Sequence, residues 1–218
     1  MNATVDGFPG ATGPAGRNPF SLYVFAGWMS IFFAPDEQPG GRFAQRVVFP
    51  SPGRYRVIVD AYVKSGVLPN FQLFRDVAVA GRSHPRPLGG YRRDAAIDGF
   101  KVVAPAEPKL RALQAAFLKF RVTGAAGKPA RFVPWYGALA HAIFLRAGTL
   151  DYFHTHVCSP GATGCASVLN GSRIVGKSSA PGSLTVGTLL PTAGTWKLFL
   201  QLRPDGTFVT VPYVLKVR

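Results

Sequence analysis

Phe49-Pro-Ser-Pro-Gly-Arg-Tyr-Arg-Val-Ile-Val-Asp60 aligns without a gap on Leu190-Pro-Thr-Ala-Gly-Thr-Trp-Lys-Leu-Phe-Leu-Gln201. Pro50 and Pro191 are identical, as are Gly53 and Gly194, while Ser51/Thr192, Tyr55/Trp196 and Arg56/Lys197 are conservative exchanges. A Pro and a Gly three residues apart interrupt the chain and release it into an alternating run. Each copy predicts a turn that launches a strand, and the two together predict an internal repeat.

The match continues upstream. Ser21-Leu-Tyr-Val-Phe-Ala-Gly-Trp-Met-Ser-Ile-Phe-Phe-Ala-Pro-Asp36 lies against His141-Ala-Ile-Phe-Leu-Arg-Ala-Gly-Thr-Leu-Asp-Tyr-Phe-His-Thr-His156, with Phe32-Phe33 in register with Tyr152-Phe153. The apolar stretch from Phe20 to Pro35 is shorter than the roughly 20 residues a membrane span needs. It also has no charged flank or small-residue cleavage site of a signal peptide, so it is expected to be a strand hairpin of the fold. The second copy carries 21 additional residues between Val157 and Leu189. Rich in Ser and Gly and holding both cysteines, this insertion reads as a long exposed loop.

Arg82-Ser-His-Pro-Arg-Pro-Leu-Gly-Gly90 is a Pro/Gly-rich linker between the copies. The expected organisation is therefore a first domain over residues 1–81, a linker over 82–90 and a second domain over 91–218. The fold class is all-β, with two tandem immunoglobulin-like β-sandwich domains, the first truncated and lacking its opening strands. Strands are expected at Phe100–Val103 and Leu118–Thr123, whereas Leu110, Leu113 and Phe117 are equally compatible with one or two helical turns. Since domain one has so short a lead before Ser21, either the true start lies upstream, with a signal segment missing here, or MNATVDGFPGATGPAG is a vestige.

Within the second copy, Ala147-Gly148 is the turn signal between two apolar runs. A hairpin centred there places Leu145 opposite Leu150, Ile143 opposite Tyr152 and His141 opposite His154. His156 shares the face of His154 because side chains alternate along a strand. Three imidazoles on one face are the donor set for copper or zinc, with one position left open. Asp151 has the opposite parity and is not counted as a ligand. The competing readings are histidines hydrogen-bonded to loops at a sheet end, and a proton-linked switch. The aligned positions in domain one are Ser21, Ala34 and Asp36, so a site would be single. His84, in the linker, is expected to be exposed.

The 218 residues carry 25 Lys and Arg against 10 Asp and Glu, a formal charge of +15. Residues 99–218 hold 14 of the cations and only three of the anions, Glu107, Asp151 and Asp205. A field of this sign attracts polyanions. The cations are nevertheless dispersed along strands and turns, with no basic run and no nucleic-acid motif, so specific nucleic-acid binding is not expected. Cys158 and Cys165 lie in a short Gly/Pro loop that suits a local disulfide and an oxidising compartment; two free thiols, or a thiolate beside His156, are the alternatives.

Gly171-Ser-Arg-Ile-Val-Gly-Lys-Ser178 fits the phosphate-loop pattern, but Pro181-Gly182 stops the helix that such a loop must open, and nucleotide binding is set aside. There is no nucleophile elbow and no His-Glu-x-x-His helix. The three acids of the second half are far apart in sequence and offer no acid/base pair, so no enzyme activity is expected. Trp135-Tyr136 suits core or hinge packing better than sugar stacking.

Trp135-Tyr-Gly-Ala-Leu-Ala-His141, Leu150-Asp-Tyr-Phe-His-Thr-His156 and Pro191-Thr-Ala-Gly-Thr-Trp-Lys-Leu-Phe-Leu-Gln201 together resemble bacterial exported or membrane-anchored proteins with duplicated immunoglobulin-like domains, labelled heavy-metal-binding or YtkA-like. The resemblance spans residues 20–80 and 100–218 and is sharpest in the second half. It implies a β-sandwich, an extracytoplasmic or cell-envelope location, and a metal role. Val157 stands where such proteins often have Pro. Taken together, the sequence leads to an extracytoplasmic, non-enzymatic protein binding copper or zinc through His141, His154 and His156, for buffering or delivery, with the Cys158–Cys165 loop capping the site. The alternative is an interaction module that presents a basic surface to a cell-envelope protein or anionic polymer, its histidines structural; membrane association would need a segment outside this chain.

Overall fold

The computed structural model describes residues 2–5, 20–26, 29–33, 36–39, 42–61, 71–84, 87–135, 137–159 and 176–218. Every regular element among them is a β-strand. The chain divides into two compact units, Met1–Pro87 and Leu88–Arg218. The division falls inside the Pro/Gly-rich segment over 82–90, and His84 there is exposed.

The first unit contains β1 (Asn2–Val5), β2 (Phe20–Ala26), β3 (Met29–Phe33), β4 (Asp36–Gln38), β5 (Arg42–Arg46), β6 (Gly53–Ala61) and β7 (Phe71–Val79). They form two sheets, of order β1-β5-β4 and β3-β2-β6-β7. The stretch from Phe20 is thus a strand hairpin that pairs with β6. Tyr55, Val57, Ile58 and Val59 are buried along β6. On its exposed side Arg56 grips Asp76 of β7 with two hydrogen bonds of 2.7 and 3.0 Å, which hold the Asp76 carboxyl below its ordinary range.

The second unit contains β8 (Asp94–Ile97), β9 (Phe100–Val103), β10 (Ala116–Thr123), β11 (Ala140–Arg146), β12 (Tyr152–Cys158), β13 (Gly176–Ala180), β14 (Ser183–Thr188), β15 (Gly194–Leu202) and β16 (Val209–Val217). All nine join one sheet of order β16-β15-β11-β12-β13-β14-β10-β9-β8. A sandwich would divide them between two sheets. Here the single sheet curls until its two ends approach: Leu110 bridges Val217, the Ala112 amide donates to the Arg218 carbonyl at 2.7 Å, and the Tyr91 and Tyr213 rings are 6.4 Å apart. Curling gives Phe120, Phe144, Leu184, Trp196 and Leu198 a common interior, where a flat sheet of nine strands would leave them wet.

Two local expectations are revised. The insertion after Val157 is not loop throughout, because β13 and β14 lie within it and fill the sheet between β12 and β10. Its strand signal was the alternation of Leu184, Val186 and Thr188 after the Pro181-Gly182 turn, diluted by Ser and Gly; residues 160–175 lie outside the described residues. Nor do residues 110–117 make helical turns: Leu110 sits in an isolated bridge, Leu113 adopts φ +60° and Phe117 is already in β10.

Pairing in the two units follows one pattern. The order β3-β2-β6-β7 has its counterpart in β12-β11-β15-β16. Ser21 pairs with Asp60 in the first, and the aligned His141 pairs with Gln201 in the second. Gly53 and Gly194 open their strands at φ +143° and +137°, a region that penalises a Cβ.

Candidate metal centre

The site grows out of β11 and its two neighbours. Ala140, Ala142 and Phe144 point into the curled sheet, so His141, Ile143 and Leu145 occupy the opposite face. That face is buried too, and His141, His154 and His156 are only 4, 2 and 6% exposed.

The hairpin register differs from the one expected of a two-residue turn. His141 pairs with His156, Ile143 with His154 and Leu145 with Tyr152. The cause is a four-residue loop over 147–150, closed by Arg146 and Leu150 amides donating to the Asp151 and Arg146 carbonyls, with Leu150 at φ +58°. In the first unit the aligned hairpin closes tighter, with Ala26 pairing Met29. A slip of two residues conserves parity, so the three histidines still share a face.

Their rings form a triangle with centroids 4.7 Å (His141–His156), 4.5 Å (His154–His156) and 5.4 Å (His141–His154) apart. One ligand atom from each lies within 4.8 Å of the others. His141 Nε2 is 2.9 Å from the Trp135 carbonyl oxygen, so that nitrogen carries the proton and donates, and Nδ1 keeps its lone pair. Nδ1 is 3.2 Å from His154 Nε2, which donates to it in the metal-free protein. The Trp135 indole closes one side, edge-on to His141 at 5.0 Å and packed on Phe208 at 4.8 Å. Burial above all, and then the neighbouring His156 and His154, push the His141 pKa well below its ordinary value against the raising effect of the Trp135 hydrogen bond. His141 is therefore neutral at physiological pH, the form a metal requires.

The three donor atoms could hold a metal ion. Donors about 2.0–2.1 Å from a tetrahedral ion lie about 3.3 Å from each other, close to the 3.2 Å between His141 and His154. The Trp135 carbonyl is the outer partner that fixes tautomer and ring orientation in such sites. Bound there, copper or zinc would be held by the three imidazoles and would supply Lewis acidity or, for copper, redox chemistry.

Two members of the site were missed from sequence. The Trp135 ring packs on Phe208, as its place in the sequence suggests, and its carbonyl orients His141. Gln201, 2% exposed, pairs with His141 from β15; its signal was its place at the end of the repeat, aligned with Asp60. Asp151 lies just before β12 and is outside the cluster, as its parity required. Cys158 is buried at the end of β12, whereas Cys165 lies outside the described residues. Most of the phosphate-loop segment also lies outside them, and its last three residues are strand. Among the described residues no helix is long and apolar enough to cross a membrane.

No curated protein matches the chain. Residues 95–218, more than half of the chain and most of the second unit, match a family described only as a domain of unknown function, DUF8832, and the chain belongs to that family.

Proposed function

We propose that this protein binds copper or zinc through His141, His154 and His156 and serves in extracytoplasmic metal buffering or delivery, without catalysis. The observation that carries this reading is the burial of three imidazoles with donor atoms within 4.8 Å of one another. Imidazole nitrogens held this close together on one face are a donor set that a single ion can share. Two further parts belong with it. The units are tandem copies of one strand pattern, supported by the common strand order and the Ser21–Asp60 and His141–Gln201 pairings. A Cys158–Cys165 disulfide caps the site, as in an exported protein; the likeness to YtkA-like proteins agrees with the repeat and with export.

The test is titration of purified, metal-stripped protein with Zn2+ and with Cu+ under a competing chelator. The wild type should bind one ion per chain with submicromolar affinity, and His154→Ala and His141→Ala should each lose at least 100-fold. Equal, weak binding by wild type and variants overturns the reading.

A second reading, a basic surface for a cell-envelope protein or anionic polymer, is supported by Lys101, Lys119, Arg121 and Lys177. All four are exposed, and the ladder pairs put them on one outer face of β9, β10 and β13. Binding to polyphosphate that weakens steeply with salt and is lost when the four become Glu, but not in His154→Ala, would favour it.

A further inference from the structure

We propose that Gln201 is the fourth ligand of the centre, through its side-chain carbonyl oxygen Oε1, and that it commits the site to a divalent ion. The inference rests on the metal reading above and extends it to a residue type outside the usual ligands.

Three buried side-chain atoms have no hydrogen-bond partner among the described residues: Thr188 Oγ1, Tyr213 OH and Gln201 Oε1. They differ in where they point. Tyr213 belongs to the interior cluster, with its ring 5.3 Å from Phe120. Thr188 shares the inward parity of Leu184 and Val186 on β14. Gln201 alone stands on the histidine face. Leu200 and Leu202 on either side of it point inward, so the Gln201 side chain projects with His141, its ladder partner.

Directly opposed residues have Cβ atoms roughly 4.5–5.5 Å apart. Two methylenes and a planar amide are long enough to cross one strand spacing, and β11 is the only strand between Gln201 and His156. A buried acceptor without a donor is unfavourable. A cation beside it removes that penalty, since an amide oxygen is a competent ligand for hard and borderline ions. Three imidazoles and one amide oxygen make a neutral, four-membered N3O set. Oxygen disfavours soft Cu+ and suits Zn2+ or Cu2+. The first unit has Asp60 at the aligned position, buried and paired with Ser21 in place of a histidine, so the acceptor is retained there without the imidazoles.

The experiment combines affinity with the stability of the metal-free protein. Gln201→Leu keeps the side-chain volume and removes the acceptor. It should weaken Zn2+ binding at least 10-fold, leave Cu+ binding within 3-fold, and raise or leave unchanged the metal-free melting temperature. Gln201→Glu should tighten Zn2+ at least 10-fold and lower the metal-free melting temperature. In the Co2+-loaded protein, Gln201→Leu should shift the visible d–d bands. If Gln201→Leu does not fold, Gln201→Asn, which draws the oxygen back by one methylene, should show the same Zn2+ loss. Wild-type Zn2+ binding with Gln201→Leu or Gln201→Asn indistinguishable from it overturns the ligand role alone. Absence of binding by the wild type overturns the metal reading together with it.

Discussion

Trp196 and Tyr55 hold aligned positions, and each hydrogen-bonds a carbonyl four residues back: Trp196 Nε1 donates to Thr192 at 2.9 Å, and Tyr55 OH donates to Ser51 at 2.7 Å. Both side chains are almost wholly buried, so each bond ties the Pro/Gly turn down onto the strand that follows. Trp196→Phe removes the bond and leaves a space in the interior, and should destabilise the second unit by about 2–3 kcal/mol. Tyr55→Phe removes the bond alone and should lower first-unit stability by about 1 kcal/mol. Urea denaturation followed by circular dichroism measures both, and a Trp196→Phe midpoint equal to wild type would show that the turn is held by other contacts. The pairing of Tyr with Trp was legible in the sequence because both residues can place a polar tip beyond an apolar body. The shared face of the histidines was legible too, since parity survives any even change in loop length. Trp135 and Gln201 were not: a backbone carbonyl leaves no trace in residue identity, and a glutamine gains a role only once the partner strand is known.

At the scale of elements, the hairpin of β13 and β14 decides whether the sheet is continuous from β12 to β10. Its turn is Pro181-Gly182, between the paired Ala180 and Ser183, with Gly182 at φ +69°. The Gly182 amide donates to the Ala130 carbonyl at 2.7 Å, and its carbonyl accepts from the Val122 amide at 2.8 Å. A Cβ added there would stand 2.7 Å from the Val122 carbonyl oxygen and 2.8 Å from Pro129 Cβ. Gly182→Ala therefore meets both an unfavourable backbone conformation and two contacts that have no flexible side chain to give way. It should destabilise the second unit by about 2–4 kcal/mol, read as a lower melting temperature with native circular dichroism below it. An unchanged melting temperature would mean that the turn rearranges at no cost. The Pro-Gly turn was visible in the sequence as a helix stop, but its use as a hairpin was masked by the weak β signal of GKSSA. Similarly, Ala147-Gly148 marked a turn correctly, yet its length was set by Leu150 entering a left-handed conformation, which no local residue preference announces.

For the whole molecule, the informative fact is that the division at Pro87/Leu88 and the family match beginning at residue 95 isolate nearly the same piece of chain. That piece contains the three histidines, Trp135 and Gln201, and all nine strands of its sheet. Its interior runs from Val102 to Val217 and closes through the Leu110–Val217 bridge, so the stabilising apolar burial is internal to it. The place of the division was open to sequence reading because it falls in the Pro/Gly-rich segment over 82–90. The closure of nine strands into one curled sheet was not, since strand order depends on pairings far apart in the chain. A fragment of residues 88–218 should consequently fold alone, unfold in one cooperative transition, and bind Zn2+ within about 3-fold of the full chain. Differential scanning calorimetry of the fragment beside the full protein would test this: the fragment's transition should recur in the full-chain trace. A fragment that is unfolded, or that folds but has lost metal affinity, would overturn the independence of the second unit.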